Sequence, residues 1–269
     1  MDRKVSNRDR ANAWIHAINN NDIWSKKTNE AIMDTIVYRG ESFLNPKDIA
    51  LLDSIERKSK TVVEVTTYTT WDAIVESHRC SYENICALNF ASFFNPGGGY
   101  ITGASAQEES LCAVSNLFPI LKKLDIYEER SNYKDCKPEY ESELIYTPSV
   151  LFTTWQDIVV KDPIEVDVLS CAAPNCHRAK VKKYSPEYEE ALKERIEAIF
   201  IYPALNGAKT LILGAWGCGV FGNSPKYVAT EFQKAIDKYG TLYDNIIFAM
   251  PNKKQFDIFW NIIGRYHKN

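Results

Sequence analysis

The chain has 269 residues, 45% of them hydrophobic, and a formal net charge of −3, enough apolar material for one large domain or a domain with a small appendage. Positive and negative residues are well mixed, which excludes the long basic face that duplex DNA or an anionic membrane surface would require, so an anionic ligand must be held locally. No stretch reaches the roughly 18 apolar residues of a membrane span and the N-terminus lacks a signal-like apolar core, so a cytoplasmic protein is expected.

In chain order, residues 1–60 read as helical. "NRDRANAWIHAIN", "TNEAIMDTIVYRG" and "LNPKDIALLDSIERKS" place apolar residues at three- and four-residue spacing, the last after Pro46. This predicts an N-terminal helical extension ahead of a second unit at 61–269. From Thr61 the texture changes to short β-branched runs, "TVVEVTTY", "ENICALNFA", "SVLFTT", "IEVDVLSCA", "KTLILGA" and "NIIFAM", alternating with longer helix-period stretches. The alternation predicts an α/β domain with helices on both faces of a central sheet. Ser105 is a candidate N-cap for a helix running through "AQEESLCAVSNLFPIL", while Ser185-Pro186 and Ser224-Pro225 open two more helices. The charged, tyrosine-rich stretch from about Lys122 to Tyr146 is the least regular and reads as loop and short helix.

Seven cysteines (Cys80, Cys86, Cys112, Cys136, Cys171, Cys176 and Cys218) are an odd number in mostly apolar contexts, which suits reduced thiols. "CAAPNCH", from Cys171 to His177, lacks the spacing of a paired zinc knuckle, so no metal is expected.

In open α/β sheets ligands sit beyond the carboxyl ends of the strands. Two glycine-rich loops meet that description: "FFNPGGGYITGA" after "ICALNFAS", and "GAWGCGVFGN" after "KTLIL". Glycines there let the backbone approach a ligand, and successive N–H groups leading into a helix make a cradle for phosphate. The second loop also satisfies G-x-G-x-x-G at Gly217, Gly219 and Gly222, although no acidic residue ends the following strand as ribose recognition in a dinucleotide fold would expect. Tight turns with no ligand are the bland alternative for either loop.

Two carboxylates follow the first loop. Ser105-x-x-Glu108 fits a capping box, a purely structural use of Glu108. Glu109 points away from the helical stripe of Leu111, Val114, Phe118 and Leu121, as an exposed first-turn glutamate also would. Adjacent helical residues are about 100° apart, so the two cannot flank one scissile bond as opposed glycosidase carboxylates do. One of them at most acts on the reacting atom. A general acid at a helix N-terminus, which favours the ionised form, needs burial or a nearby anion to stay protonated.

"LNFASFFNPGGGYITGASAQEESLC" resembles the signature of poly(ADP-ribose) glycohydrolases in their compact microbial form, built on a macrodomain; the resemblance continues through "LIYTPSVLF", "VLSCAAPN" and "LILGAWGCGVFGNSPKYVATEF". It implies a three-layer α/β/α macrodomain-like fold with a central mixed sheet, and hydrolysis of the ribose–ribose bond without metal or cofactor. Carried over, Glu109 is the catalytic acid and Glu108 holds ribose hydroxyls. Asn95, Gly97, Gly98, Gly99 and Gln107 line the distal ribose site. Gly217, Cys218, Gly219 and Val220 wrap the diphosphate, and Phe221 packs on the ribose. Phe248 and the turn Ala172 to Asn175 are candidates for the adenine pocket. The expected partners are poly(ADP-ribose) or ADP-ribosylated macromolecules, with ADP-ribose as product, no membrane and no duplex nucleic acid, acting as a monomer. There is no obvious counterpart of the tyrosine-bearing insertion of larger animal enzymes, although the stretch with Tyr133 and Tyr140 is a candidate cover; its absence favours action from chain ends. The rivals are a mono-ADP-ribosyl hydrolase, a non-catalytic ADP-ribose reader and a dinucleotide-dependent oxidoreductase.

Overall fold

The structure, a computed structural model, describes residues 6–39, 46–132, 143–153, 163–177 and 183–264. Tyr133 and Tyr140 lie outside the described residues. The elements run α1 (Asn7–Asn19), α2 (Asp22–Asp34), β1 (Ile36–Arg39), α3 (Pro46–Ser54), β2 (Val62–Thr66), α4 (Thr70–Arg79), β3 (Ile85–Phe90), α5 (Gln107–Cys112), α6 (Leu117–Leu121), α7 (Ile126–Ser131), β4 (Glu143–Phe152), β5 (Ile164–Cys171), α8 (Pro186–Leu205), β6 (Thr210–Gly214), α9 (Pro225–Tyr239), β7 (Asn245–Ala249) and α10 (Lys253–Ile262).

The strands form one mixed sheet in the order β1-β4-β5-β3-β6-β7-β2. The five strands from β5 to β2 are mutually parallel; at the β5 edge β4 pairs antiparallel with β5, and β1 antiparallel with β4. Burial on both faces explains the unbroken apolar runs at residues 85–88 in β3 and 211–213 in β6. Successive side chains of β3 alternate between two cores. Cys86 and Leu88 join the cluster under α3, α8, α9 and α10, while Ile85 and Ala87 join the one under α1, α2, α4, α5, α6 and α7. Three layers, α/β/α, follow directly.

Several helix starts follow their local chemistry. Ser185 and Ser224 each accept the backbone N–H three residues on, with Pro186 and Pro225 at the first helical position. Thr69 and Asp72 make a reciprocal capping box at α4.

Three local expectations differ from the structure. "TNEAIMDTIVYRG" is not one helix: α2 ends at Asp34, and Ile36–Arg39 pairs with Glu143–Tyr146 as the edge strand β1. The β-branched pair Ile36-Val37 suits that pleated edge better than a helix terminus. Within the stretch read as irregular, residues 143–146 are the first half of β4, which sequence alone began at Ser149. A bulge between Thr147 and Val150, with Ser149 at φ 52°, breaks the alternation that would have revealed one long strand. Finally, the helix expected after Ser105 is two short helices, α5 and α6, separated at residues 113–116.

Candidate active site

The carboxyl ends of all five parallel strands open on one cavity of about 850 Å³, within the usual size for a small-molecule site. Thr69, Thr70 and Trp71 follow β2; Phe90 and Ser92 follow or end β3; Ala173 follows β5; Ala215 and Trp216 follow β6; Ala249 and Pro251 end or follow β7. Parallel strands bring both glycine loops to this rim. Asn95, Gly98, Gly99, Gln107, Glu108, Glu109, Gly217, Gly219, Val220 and Phe221 all line it.

Gln107, Glu108 and Glu109 hold three different positions. The Gln107 amide behaves as an extra residue at the end of β3: its Oε1 accepts the Phe90 N–H at 2.9 Å, and its Nε2 donates to the Leu88 carbonyl at 2.8 Å and to Thr70 Oγ1 at 3.1 Å. This pins the start of α5 to the sheet. Glu108 turns inward and is 3% exposed. The Ser92 N–H donates to its Oε2 at 2.7 Å and Asn89 Nδ2 to its Oε1 at 3.2 Å. Glu109 lies against the first glycine loop. The Gly99 N–H donates to its Oε1 at 2.7 Å and the Ala106 N–H to its Oε2 at 3.0 Å.

The cap is therefore one residue later than the sequence suggested. Ala106, not Ser105, precedes the first helical residue, and Glu109, not Glu108, returns to the N-cap amide. Nor is Glu109 an exposed surface glutamate, for it is 8% exposed. Gly98 explains how two carboxylates share so small a space. At φ +60° it sits in the left-handed region, and a Cβ there would lie 2.5 Å from Glu109 Oε1 and 3.0 Å from Glu108 Oε2.

Burial pushes the Glu108 carboxyl up to about 8; neighbouring Glu109 adds to this, and the hydrogen bonds from Ser92 and Asn89 oppose it. The acid is thus neutral at low pH in both folded and unfolded chains. Between the ordinary carboxylate range and about 8, the unfolded chain has lost this proton while the folded one keeps it. Stability linked to this group is full below the ordinary range and is lost as pH rises through about 8. Glu108→Gln, which cannot ionise, is expected to melt below wild type at about pH 5, because it accepts only one of the two donors, and to gain on wild type steadily toward about pH 9. Melting temperatures across that range test this; a constant gap between the two proteins would contradict it.

The second glycine loop is fastened by Asn223, 3% exposed. Its Nδ2 donates to the carbonyls of Pro174 and Gly217, both at 2.9 Å, and its Oδ1 accepts from Tyr188 Oη at 2.5 Å and from Cys176 Sγ at 3.3 Å. The "AAPN" turn is thereby tied to the loop after β6. A Cβ on Gly217 would meet Ala173 Cβ at 2.5 Å and Asn223 Nδ2 at 2.6 Å, so the two segments close without room for a side chain. Behind the first loop, Arg130 is buried: its Nε pairs with Glu143 at 2.8 Å, its Nη1 donates to the Phe93 carbonyl at 2.9 Å, and its guanidinium lies 4.2 Å from the Phe93 ring centroid.

Three residues expected in the site do not line the cavity. Phe248 is fully buried on β7 between Phe232 and Phe259, in the core beneath α9 and α10, and does not line the cavity. Gly97 packs its Cα side on Phe118, where a Cβ would lie 2.6 Å from the ring, while its backbone N–H acts on the Glu108 carboxyl from behind the wall. Cys218 turns its thiol to the Trp216 carbonyl at 3.5 Å, and burial pushes that thiol up to about 12, which leaves it a poor nucleophile. Sequence reading missed Asn89, Ser92, Thr70, Trp71, Arg130 and Asn223. The first two fall inside the quoted glycine motif and were within reach of it; the others are assembled from distant segments. Among the described residues no group of His, Cys, Asp and Glu is arranged to hold a metal ion.

A three-layer α/β/α fold whose parallel strand ends open on one cavity, walled by two glycine loops and a carboxylate pair, defines a macrodomain-like protein with a small-molecule site. Residues 13–154 match the family described as microbial-type PARG, catalytic domain, and the chain belongs to that family. Among solved structures, poly(ADP-ribose) glycohydrolase from Thermomonospora curvata is 26% identical, with a TM-score of 0.82 over 96% of this chain and 99% of that one. The same enzyme bound to the inhibitor ADP-HPD is 27% identical, with a TM-score of 0.80 over 95% and 98%. The Deinococcus radiodurans enzyme in complex with ADP-ribose is 28% identical, with a TM-score of 0.75 over 88% and 97%. No curated protein sequence matches the chain.

Proposed function

We propose that the protein is a poly(ADP-ribose) glycohydrolase that cleaves the ribose–ribose O-glycosidic bond and releases ADP-ribose, with Glu109 as its catalytic acid. The observation that carries the residue assignment is the hold on Glu109: both carboxyl oxygens are fixed by backbone N–H groups, one from the glycine loop and one from its own helix, at the wall of the cavity. The glutamates are neighbours on α5 and share one side of the site, so the chemistry runs through one acid. Glu109 gives its proton to the leaving ribose oxygen as the glycosidic bond breaks. The sugar takes on oxocarbenium character, which the carboxylate and the ligand's own diphosphate stabilise. Glu109 then takes a proton from the attacking water, whose oxygen forms the new bond to the anomeric carbon.

In this reading Glu108 accepts the ribose hydroxyls from within the wall, and Asn95, Gly98 and Gly99 make room for that ribose. Gly217, Gly219 and Val220 present backbone to the diphosphate and Phe221 packs on the sugar. Gln107 acts through the placement of α5. We read the division at residue 60 in a functional sense only, since β1 belongs to the central sheet: residues 61–269 carry the site and residues 1–60 support it. The likeness to chains solved with ADP-ribose and with ADP-HPD supports a ligand of that class. We propose further that it works from chain ends as a monomer in the cytoplasm. No helix among the described residues is long and apolar enough to cross a membrane.

Incubation with poly(ADP-ribose) and with mono-ADP-ribosylated protein, followed by chromatography of the released products, tests the reading. Free ADP-ribose from polymer, without long oligomers at early times, is the expected result. Release only from the mono-modified protein would move the assignment to a mono-ADP-ribosyl hydrolase, and release from neither, with ADP-ribose still bound, would make the protein a reader.

A further inference from the structure

The helix that carries both glutamates is six residues long, too short to hold its direction by its own hydrogen bonds. Its direction is fixed at its two ends. The start is held by Gln107, as described. Its far end is the break at residues 113–116, where the bonds of the short helices themselves, such as the Ala113 N–H to the Glu109 carbonyl at 3.0 Å, are joined by ties from distant segments. The Thr153 N–H donates to the Val114 carbonyl at 2.8 Å, and Asn116 bridges the Leu151 N–H at 2.8 Å and Thr28 Oγ1 on α2 at 2.9 Å. Within the break, Ser115 Oγ donates back to the Leu111 carbonyl at 2.7 Å. The Ser115 carbonyl, on a fully buried residue, receives the indole N–H of Trp14 on α1 at 2.8 Å.

The same helix α1 also touches the other half of the catalytic motif. Asn7 Nδ2 donates to the Gly103 carbonyl at 3.3 Å, at the end of the glycine loop, and a Cβ on Gly103 would lie 3.6 Å from both the Arg8 backbone nitrogen and Asn7 Cβ. Asn7 and Trp14 are seven residues apart, two turns along one face and about 10 Å on the axis. Ala11 and Ile18, both buried, complete that face. One helix face therefore spans from the loop whose Gly99 holds Glu109 to the break that ends the glutamate helix.

We propose that α1 is a brace across the catalytic motif and that Trp14 is a positioning residue for Glu108 and Glu109, acting through the Ser115 carbonyl. The inference rests on the glycohydrolase reading given above. Its physical basis is that a buried carbonyl deprived of its donor seeks another, which lets the break, and with it α5, shift. A displacement of a fraction of an ångström at the glutamates lowers turnover more than it lowers binding, because only the transition state demands the full alignment.

Trp14→Phe keeps an aromatic ring in the layer while it removes the donor and part of the buried indole's volume, so its loss of packing has to be matched by a control. The expected result is a fall in kcat of about tenfold with KM within about twofold of wild type. Phe200→Leu, in the core on the opposite face of the sheet, serves as a control of comparable thermal destabilisation and should keep its kcat. Asn7→Ala, on the exposed end of α1, releases the other tie without touching the core and should lower kcat about threefold. The inference is overturned if Trp14→Phe and Asn7→Ala both turn over as wild type does, or if Trp14→Phe loses kcat no more than Phe200→Leu. Should Trp14→Phe not fold, Asn7→Ala alone decides by the same criterion. Absence of turnover in the wild-type protein would count against the glycohydrolase reading instead.

Discussion

Glu109→Gln is expected to lower release of ADP-ribose from polymer by roughly 10³-fold while leaving ADP-ribose affinity within about tenfold of wild type. The amide cannot deliver a proton to the leaving ribose oxygen or take one from water, so both halves of the reaction lose their acid–base partner. Binding should largely survive, because the ligand's diphosphate and sugar are held by other parts of the cavity wall. Some loss is built in. The wild-type carboxyl accepts the Gly99 and Ala106 N–H groups on separate oxygens, and glutamine leaves one of those two donors facing an NH₂. That mismatch should cost on the order of 1–2 kcal/mol of stability. Turnover measured on polymer, alongside calorimetric titration with ADP-ribose, checks both halves. Wild-type turnover in the variant would remove Glu109 from the mechanism.

Gly98→Ala should cost activity and affinity together, on the order of 10²-fold in kcat/KM. Its Cβ would stand 2.5 Å from Glu109 Oε1 and 3.0 Å from Glu108 Oε2, so neither carboxylate could keep its place. The left-handed backbone at φ +60° adds strain of roughly 1–2 kcal/mol for any residue with a Cβ. Strain and collision can be separated. Gly207, in the turn after α8, has φ +84° with no atom within 4 Å of a Cβ. Gly207→Ala should therefore lose stability by a similar amount and keep full activity. If Gly98→Ala also kept its activity, the close fit of loop against carboxylates would have no catalytic meaning.

Much of the site was legible because its signals are local. A triple glycine after a strand, a short spacer and Gln-Glu-Glu at a helix start identify a ligand-binding edge from residue types and spacing alone, and the six β-branched runs located most of the sheet. The misreadings have a common cause. Glu109 on a helical wheel points away from the apolar stripe, which sequence reads as solvent. It is buried because the glycine loop, ten residues earlier for Gly99, folds back over it and supplies an N–H. Phe248 was a candidate pocket aromatic by resemblance alone, but alternation along β7 turns it into the core beneath α9 and α10 and away from the cavity wall. Arg130 and Asn223 gave no local signal, since their value comes from bonding segments far away in the chain.

By itself the sequence determined the family, the α/β/α class, the two glycine loops and the order of the catalytic motif, all of which depend on residues within a turn or two of one another. Tertiary structure alone decided that "AQEESLCAVSNLFPIL" breaks into two helices. The apolar spacing runs on through residues 113–116, and the choice between helix and break is made by bonds from β4, Thr28 and Trp14. That break aims the glutamate helix at the cavity, and its partners are 35 to 101 residues away in sequence.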